Sequence, residues 1–251
     1  MSENGLPSPN HILYVKALKK TFGFVQALRG IDLELFNGEF LTIFGPNGAG
    51  KTTLIKILSS LAKPTSGTAF VAGFDIGEST PAMRSKIGVI SHASYLYDNL
   101  SALENLVFYG KMHRLENPEE RAAQVIDEVG LKARMHDPVG VFSRGMTQRL
   151  SIARAIINNP AVLFLDEPYT GLDQHASENL KERLLALRDA KRSIVMITHD
   201  IPRGLEMCDR VAIMAEGKKV FMGHIDEVDK NNFEEFYYQE IANSRTRNAK
   251  K

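Results

Sequence analysis

A glycine-rich segment between an apolar run and an amphipathic pattern constrains this sequence more than any other feature. It spans Gly45–Thr52 and reads GPNGAGKT. The run Phe40–Phe44 before it has the length and composition of a buried parallel strand. After it, apolar side chains from Leu54 to Leu61 recur at helical spacing. Strand, glycine loop and helix in this order are the context of a phosphate-binding loop; an ordinary glycine turn is the alternative.

The residue types of this loop suit the binding of a nucleoside triphosphate with its metal ion. Glycines let backbone N–H groups turn toward an anion, and the helix N-terminus adds partial positive charge. Lys51 is expected to reach the β- and γ-phosphates, and Thr52 to hold Mg²⁺ through its hydroxyl. The predicted contacts to ATP are Gly45, Pro46, Asn47, Gly48, Ala49, Gly50, Lys51, Thr52 and Thr53.

Two apolar runs in the second half of the chain end in ionisable side chains. Val162–Leu165 is followed by Asp166 and Glu167, and Ile194–Thr198 is followed by His199. Parallel strands bind ligands at their carboxyl ends, so Asp166 is predicted to hold Mg²⁺ through water and Glu167 to be the general base. His199 is predicted to contact the γ-phosphate and to hold the water or Glu167 in place. A solvated acidic turn and a structural histidine are the alternatives.

Composition excludes several functional classes. The chain has 251 residues, with 31 basic and 30 acidic side chains, which gives no support for a nucleic-acid surface. A single cysteine, Cys208, cannot form an internal disulfide and fits a reducing compartment. The N-terminus lacks the pattern of a signal peptide, and no apolar run approaches the roughly 20 residues that span a bilayer. Any membrane role is therefore expected to come through a partner.

The order of predicted elements indicates an α/β fold. The first part predicts antiparallel strands, including Ile31–Phe36 with a hairpin turn at Asn37-Gly38. Helices and strands then alternate, which predicts a mainly parallel sheet. Phe233–Ala242 is predicted to be a short helix. Residues 1–10 and the basic end from Arg245 are predicted to be disordered.

Further segments carry a resemblance to a known family. Phe142–Arg149 reads FSRGMTQR, and Thr170–Asp173 reads TGLD. Together with the glycine loop, the acidic strand end and His199, they resemble the ATP-binding subunits of ABC transporters over roughly residues 11–225. The family signature usually reads LSGGQxQR, so this segment departs from it at three positions, which are Phe142, Arg144 and Met146.

The resemblance implies both a fold and an assembly. The fold is that of a P-loop NTPase of the RecA type, with a mainly parallel core, an antiparallel β subdomain and an α-helical signature subdomain at about 93–158. Residues 226–251 would form a C-terminal helix and a basic tail. Ser143 and Gly145 would contact the γ-phosphate of ATP held by a second copy, in a head-to-tail homodimer to which Asp173 also contributes. Ser143 is also a good N-cap, and both roles are compatible.

Two further positions are interpreted through the family. Phe22 matches the aromatic residue that stacks on adenine, although the neighbouring Phe24 complicates this assignment because it could instead be a core residue. The family usually has a glutamine where this chain has His92. A histidine is a poorer Mg²⁺ ligand than an amide oxygen, so the expected metal ligands are Thr52 and Asp166.

Several short sequence segments resemble the haem exporter subfamily of cytochrome c maturation. They include Ser91-His92, Leu103–Leu106 and Glu167–Asp173. Haem export is therefore the first expectation; another exporter ATPase (ABC-2-type, lipid or drug) and a soluble non-transport ABC ATPase are the alternatives. With no Cys-x-x-Cys-His segment, direct haem binding is not expected.

The membrane partner is expected to dock on one apolar segment. By family resemblance, integral permease subunits would hold the chain at the cytoplasmic face of the cell membrane. The segment Tyr95–Tyr109 is where the family docks its permease. An equally good alternative is that its apolar side chains are core residues of the helical subdomain; they are Tyr95, Leu96, Tyr97, Leu100 and Phe108.

Overall fold

The structure is a computed structural model that describes residues 8–78, 80–91, 93–189 and 192–249. Its strands are β1 (His11–Phe22), β2 (Val25–Phe36), β3 (Phe40–Phe44), β4 (Ser66–Val71), β5 (Phe74–Asp75), β6 (Ile87–Ile90), β7 (Val162–Asp166), β8 (Ser193–Ile197), β9 (Arg210–Ala215) and β10 (Lys218–His224). Its α-helices are α1 (Lys51–Leu58), α2 (Pro81–Arg84), α3 (Ala102–Met112), α4 (Pro118–Glu128), α5 (Arg144–Ile156), α6 (Gln174–Asp189), α7 (Ile201–Met207) and α8 (Phe233–Ala249).

A six-stranded sheet forms the centre of the fold, in the order β10-β9-β3-β8-β7-β6. Its strands pair in parallel from β9 to β6, and β10 is antiparallel to β9. All five residues of β3 are buried, because apolar layers cover both faces of the sheet. Phe40 and Phe44 pack with the helices on one face, and Leu41 and Ile43 pack with α1 on the other. The predicted parallel core is confirmed.

A second sheet covers one side of this core. Its four antiparallel strands follow the order β2-β1-β4-β5. The predicted hairpin at Asn37-Gly38 is wrong, because β2 and β3 belong to different sheets and do not pair. The turn itself is present, and Gly38 has a φ of +82°. It carries the chain from the antiparallel sheet into the parallel one.

Helices α3, α4 and α5 form a unit inserted between β6 and β7. Ser101 begins α3 with a reciprocal capping box to Glu104, and Ser143 caps α5 by accepting a hydrogen bond from the Met146 N–H. Apolar side chains of all three helices join the core cluster on one face of the parallel sheet. This insertion corresponds to the expected helical subdomain.

Three predicted boundaries differ from the structure. Helix α1 ends at Leu58, because Ser60 takes a left-handed conformation, and Leu61 is exposed. Helix α8 continues to Ala249, well past the predicted end at Ala242. Residues 1–7 lie outside the described residues. The carbonyl oxygen of Ser8 accepts a hydrogen bond from the N–H of His11, where β1 begins.

Candidate active site

The glycine loop joins the end of the central strand to a helix, as the sequence predicts. Strand β3 ends at Phe44 and α1 begins at Lys51, with Gly50 at the N-cap position. Gly50 has a φ of +97°, and a Cβ there would lie 2.5 Å from the carbonyl oxygen of Ala27. Glycine is therefore required at this position by both conformation and space. The loop brings Thr52 and Thr53 into the first turn of the helix.

Lys51 is a buried cation inside this loop. Its Nζ donates hydrogen bonds to the carbonyl oxygens of Gly45, at 2.5 Å, and of Pro46, at 3.1 Å. Burial lowers the pKa of the Lys51 ammonium, and the nearby carboxylates of Glu167 and Asp166 partly offset this effect. The site thus places a cation between an anion-binding loop and two acidic strand-end residues.

Asp166 and Thr52 bring two oxygen ligands together. The Thr52 hydroxyl donates a hydrogen bond to Asp166 Oδ1 at 3.3 Å. A hydroxyl and one carboxylate suit Mg²⁺, which keeps several waters and takes its other ligands from substrate phosphates. Within the described residues, no group of three or more His, Cys, Asp and Glu side chains is placed to hold a metal. The residues fit a magnesium ion that arrives with its nucleotide.

Glu167 and His199 form a hydrogen-bonded pair at the ends of neighbouring strands. Glu167 Oε2 lies 2.8 Å from His199 Nδ1 and accepts a second hydrogen bond from the His199 backbone N–H at 3.3 Å. Glu167 has a φ of +52°, which is uncommon for a residue with a side chain. Its N–H is held by the carbonyl oxygen of Ile197 at 2.9 Å. The strained turn directs this carboxylate out of the sheet edge.

A cavity of about 640 Å³ lies between the glycine loop and the residues that follow β7 and β8. The glycine loop contributes Gly45 and Asn47, and the strand ends contribute Glu167 and His199. Sequence reasoning missed part of the wall, which α8 supplies through Glu234, Tyr237 and Tyr238. Helix α8 is anchored by Phe233, whose ring lies 5.4 Å from that of Phe44 at the end of β3. No local pattern in the sequence indicates this contact.

A second cavity, of about 340 Å³, lies at the N-terminus of α5. Ser143, Gly145 and Asp173 line it, so the structure brings together three residues that the sequence predicted as one group. Asp173 Oδ1 accepts a hydrogen bond from the N–H of Ala176 at 2.7 Å and caps the start of α6. The helix end carries partial positive charge, which makes the cavity suitable for an anion.

Comparisons with known proteins identify the family. The family described as ABC transporter matches residues 28–170, which is more than half of the chain. The chain belongs to the ABC transporter family. It is an ATP-binding subunit with the ATP-hydrolysing domain of that family.

Curated relatives of this ABC ATPase span most of its length. The linearmycin resistance ATP-binding protein LnrL of Bacillus subtilis is 35% identical over 84% of this chain and 69% of its own. The ABC transporter ATP-binding protein NatA of the same organism is 34% identical over 81% of this chain and 84% of its own. The daunorubicin/doxorubicin resistance protein DrrA of Streptomyces peucetius is 33% identical over 88% and 67%.

Solved structures support the same fold. An ATP-binding subunit of an ABC transporter superposes with a TM-score of 0.82 at 26% identity, covering 91% of this chain and 99% of its own. The cassette MJ0796, a dimer in a post-hydrolysis state bound to ADP and Pi, has a TM-score of 0.77 at 28% identity. It covers 85% of this chain and 98% of its own. The predicted P-loop NTPase fold is confirmed.

Several finer predictions have a different outcome. LnrL and DrrA are named for resistance to antibiotics, and the expectation of haem export is not supported. Phe22 is 54% exposed at the end of β1, under the ammonium of Lys20, and remains a predicted adenine contact. Phe24 is fully exposed, so its interpretation as a core residue is wrong. His92 lies outside the described residues.

The segment predicted to dock a partner divides into two groups. Leu96 packs against the core of the helical unit, as the core interpretation requires. Tyr95, Tyr97 and Phe108 are exposed, and Met112 continues the same surface along α3. We call these four residues the aromatic patch. No helix among the described residues has the length and apolar character needed to cross a bilayer.

Proposed function

We propose that this ABC ATPase powers an exporter for a small molecule of the antibiotic type, by hydrolysing MgATP between two copies of itself. The names of its relatives support the transported class: they confer resistance to linearmycin, daunorubicin and doxorubicin. The observation that carries the mechanism is the pairing of Glu167 with His199 beside the phosphate loop. ABC-2-type export fits these relatives better than haem export does.

The phosphate loop binds and orients the triphosphate. Lys51 can exchange its hydrogen bonds to Gly45 and Pro46 for oxygens of the β- and γ-phosphates. The amides at the start of α1 face the same anion, whose charge the helix end stabilises. Thr52 and Asp166 would hold Mg²⁺, which neutralises charge on the phosphates when it is bound. Phe22 is proposed to stack on the adenine.

Glu167 accepts the proton of the attacking water. Its second oxygen is engaged by His199, which fixes the direction of the carboxylate. A general base in this position contributes roughly 10²–10⁴-fold to the rate. His199 is 74% exposed at its side chain, so it can also contact the γ-phosphate from the open side of the cavity.

The second copy completes each nucleotide site. Ser143 and Gly145 sit at a helix N-terminus that suits an anion, and they line a cavity separate from the phosphate loop of their own chain. A head-to-tail pair would bring this helix end to the γ-phosphate held by the other copy. The ADP- and Pi-bound dimer of the similar cassette MJ0796 supports this arrangement.

The aromatic patch is the proposed docking surface for integral permease subunits. Its exposed rings pack edge-on, with Tyr97 and Phe108 centroids 5.3 Å apart, and they form an apolar surface on the helical unit. A permease there would hold the chain at the cytoplasmic face of the cell membrane. Neither nucleic acid nor haem is proposed as a direct ligand.

Affinity purification from membranes of the source cell tests this proposal. The tagged wild-type chain is expected to capture an integral membrane protein with several spanning helices. The double variant Tyr97→Asp, Phe108→Asp should lose that protein and keep its ATPase activity in solution. The matched control Phe24→Asp changes an exposed aromatic residue in the turn between β1 and β2 and should retain capture. Undiminished capture by the double variant would contradict docking at the patch.

A further inference from the structure

The first residue of α5 is a cation in an unfavourable position. Arg144 stands where the signature of the family usually has glycine, at the positive end of a helix. A cation there loses electrostatic stability unless a specific partner holds it. The guanidinium of Arg144 turns to the loop that follows Glu167, where Nη2 donates a hydrogen bond to the carbonyl oxygen of Thr170 at 3.0 Å.

Gly171 makes room for this guanidinium. A Cβ built at Gly171 would lie 2.0 Å from Arg144 Cζ and 2.1 and 2.2 Å from its two terminal nitrogens. The planar group therefore covers the α-carbon of Gly171. A side chain at position 171 would displace the guanidinium from its present place. Gly171 also has a φ of +73°, which independently favours glycine.

A second side chain of α5 holds the same loop. Gln148, one helical turn after Arg144, donates from Nε2 to the carbonyl oxygen of Pro168 at 3.0 Å. Within the loop, the N–H of Thr170 donates to the carbonyl oxygen of Glu167 at 3.2 Å. Helix α5 is thus tied to both ends of the short segment that leaves Glu167.

This segment also separates the two cavities. Thr170 lines the cavity that contains Glu167 and His199. Gly171 and Asp173 line the cavity at the N-terminus of α5. A shift of α5 relative to the parallel sheet would therefore pull on the backbone next to Glu167 through Arg144.

We propose that Arg144 is a positioning residue for hydrolysis, which ties the signature helix to the loop after Glu167 within the same chain. The inference rests on the proposed role of Glu167 as general base. Through this tie, an α5 helix seated on the γ-phosphate of the second copy fixes Glu167 of its own chain. Arg144 acts on the catalytic rate through Glu167 and leaves the affinity for ATP to the phosphate loop.

Steady-state ATPase kinetics of purified Arg144→Met test the proposal. Methionine keeps an apolar stem and removes the hydrogen bond and the planar group. We expect kcat to fall about tenfold, as expected for a slightly misplaced catalytic group, with KM for ATP within about twofold of wild type. The control Arg134→Met removes an exposed arginine of the same helical unit, whose guanidinium pairs with half-buried Asp137 at 3.0 Å, and should leave both constants unchanged. A higher KM at unchanged kcat would overturn the proposal and indicate a phosphate contact across the dimer.

A double-mutant cycle with Gly171→Ala adds an independent readout. The backbone strain of alanine at a φ of +73° is present with and without Arg144, so it cancels in the cycle. Removing the guanidinium frees the space for the new Cβ. We therefore expect the fold-loss of kcat caused by Gly171→Ala to be at least about threefold smaller in the Arg144→Met background than in the wild-type background. Equal reductions of kcat in both backgrounds would reject the proposed link between Arg144 and the loop after Glu167.

The same series separates this inference from the proposed function. If Glu167→Gln keeps wild-type turnover, the proposed general base is wrong and the role of Arg144 fails with it. If Glu167→Gln is inactive while Arg144→Met has the same kinetic constants as Arg134→Met, only the positioning role of Arg144 is rejected. Thermal unfolding of each variant identifies any loss of activity that comes from loss of the fold.

Discussion

The strand-end site and the N-terminus of α5 differ in how complete they are within one chain. At the strand ends, a cation, two oxygen ligands and a paired carboxylate converge: Lys51 lies among loop carbonyls, Thr52 reaches Asp166, and Glu167 reaches His199. At α5, a helix end and the Ser143 hydroxyl form a place for an anion without supplying a base of their own. The first region contains the proposed general base and metal ligands, and the second offers a helix end and a hydroxyl group to a phosphate.

This difference explains why a single copy is insufficient in the proposed mechanism. A general base beside an incomplete phosphate site, or a complete phosphate site without its general base, is expected to support only slow hydrolysis of ATP. Two copies arranged head to tail supply both halves to each nucleotide. The comparison therefore predicts that variants of the two regions fail in different ways.

The largest effect is expected at the strand-end site. Glu167→Gln removes the proton acceptor and keeps the shape of the side chain, so kcat should fall by about 10²–10⁴-fold while ATP remains bound. Steady-state hydrolysis and equilibrium binding of ATP measure the two effects separately. Glu178→Gln, an exposed carboxylate on α6, serves as the control. Wild-type turnover by Glu167→Gln would remove the distinction between the two regions.

A smaller effect is expected at the helix end. Ser143→Ala removes one donor to the phosphate of the other copy and should reduce kcat about tenfold, in the range of a single lost hydrogen bond to an anion. It also removes an N-cap, which costs about 1 kcal/mol of folding free energy. Ser101→Ala is a matched control, because the Ser101 side chain also accepts a hydrogen bond from an N–H in the first turn of its helix but lines neither cavity.

The two serine variants separate capping from catalysis. Both should lower the thermal unfolding midpoint by similar amounts, since both remove one cap from one helix of the same unit. Only Ser143→Ala should lose ATPase activity. Equal losses of activity would show that Ser143 acts through helix stability alone, and the region at α5 would then be structural.

The sequence predicted local motifs more successfully than strand pairing and helix ends, for a physical reason. The phosphate loop and the acidic strand end are local patterns, in which eight or fewer neighbouring residues determine both the conformation and the chemistry. The pairing of β2 was predicted wrongly because Asn37-Gly38 specifies a turn and not the strands that it joins. The prediction that α1 continues to Leu61 was wrong because Ser60, with a φ of +60°, already lies outside the helix.

Long-range packing accounts for what the sequence did not predict. Helix α8 reaches the active-site cavity because Phe233 packs on Phe44, which is far from it in the chain. Arg144 was visible as a departure from the family signature, but its partners Thr170 and Gly171 follow only from the packing of α5 on the loop after β7. No periodic or motif signal in the chain encodes such contacts.

Mixing two defective chains provides the last and smallest expected signal. In a head-to-tail dimer of a Lys51→Ala chain with a Ser143→Ala chain, one site carries both defects and the other carries neither. Half of the dimers in an equal mixture are of this mixed kind, so activity should reach about a quarter of wild type. Each variant alone should stay well below that level. ATPase activity measured across mixing ratios should therefore peak near equal amounts of the two chains. A straight line between the two parents would mean that each chain completes its own site, because Ser143 would then serve the phosphate loop of the same copy.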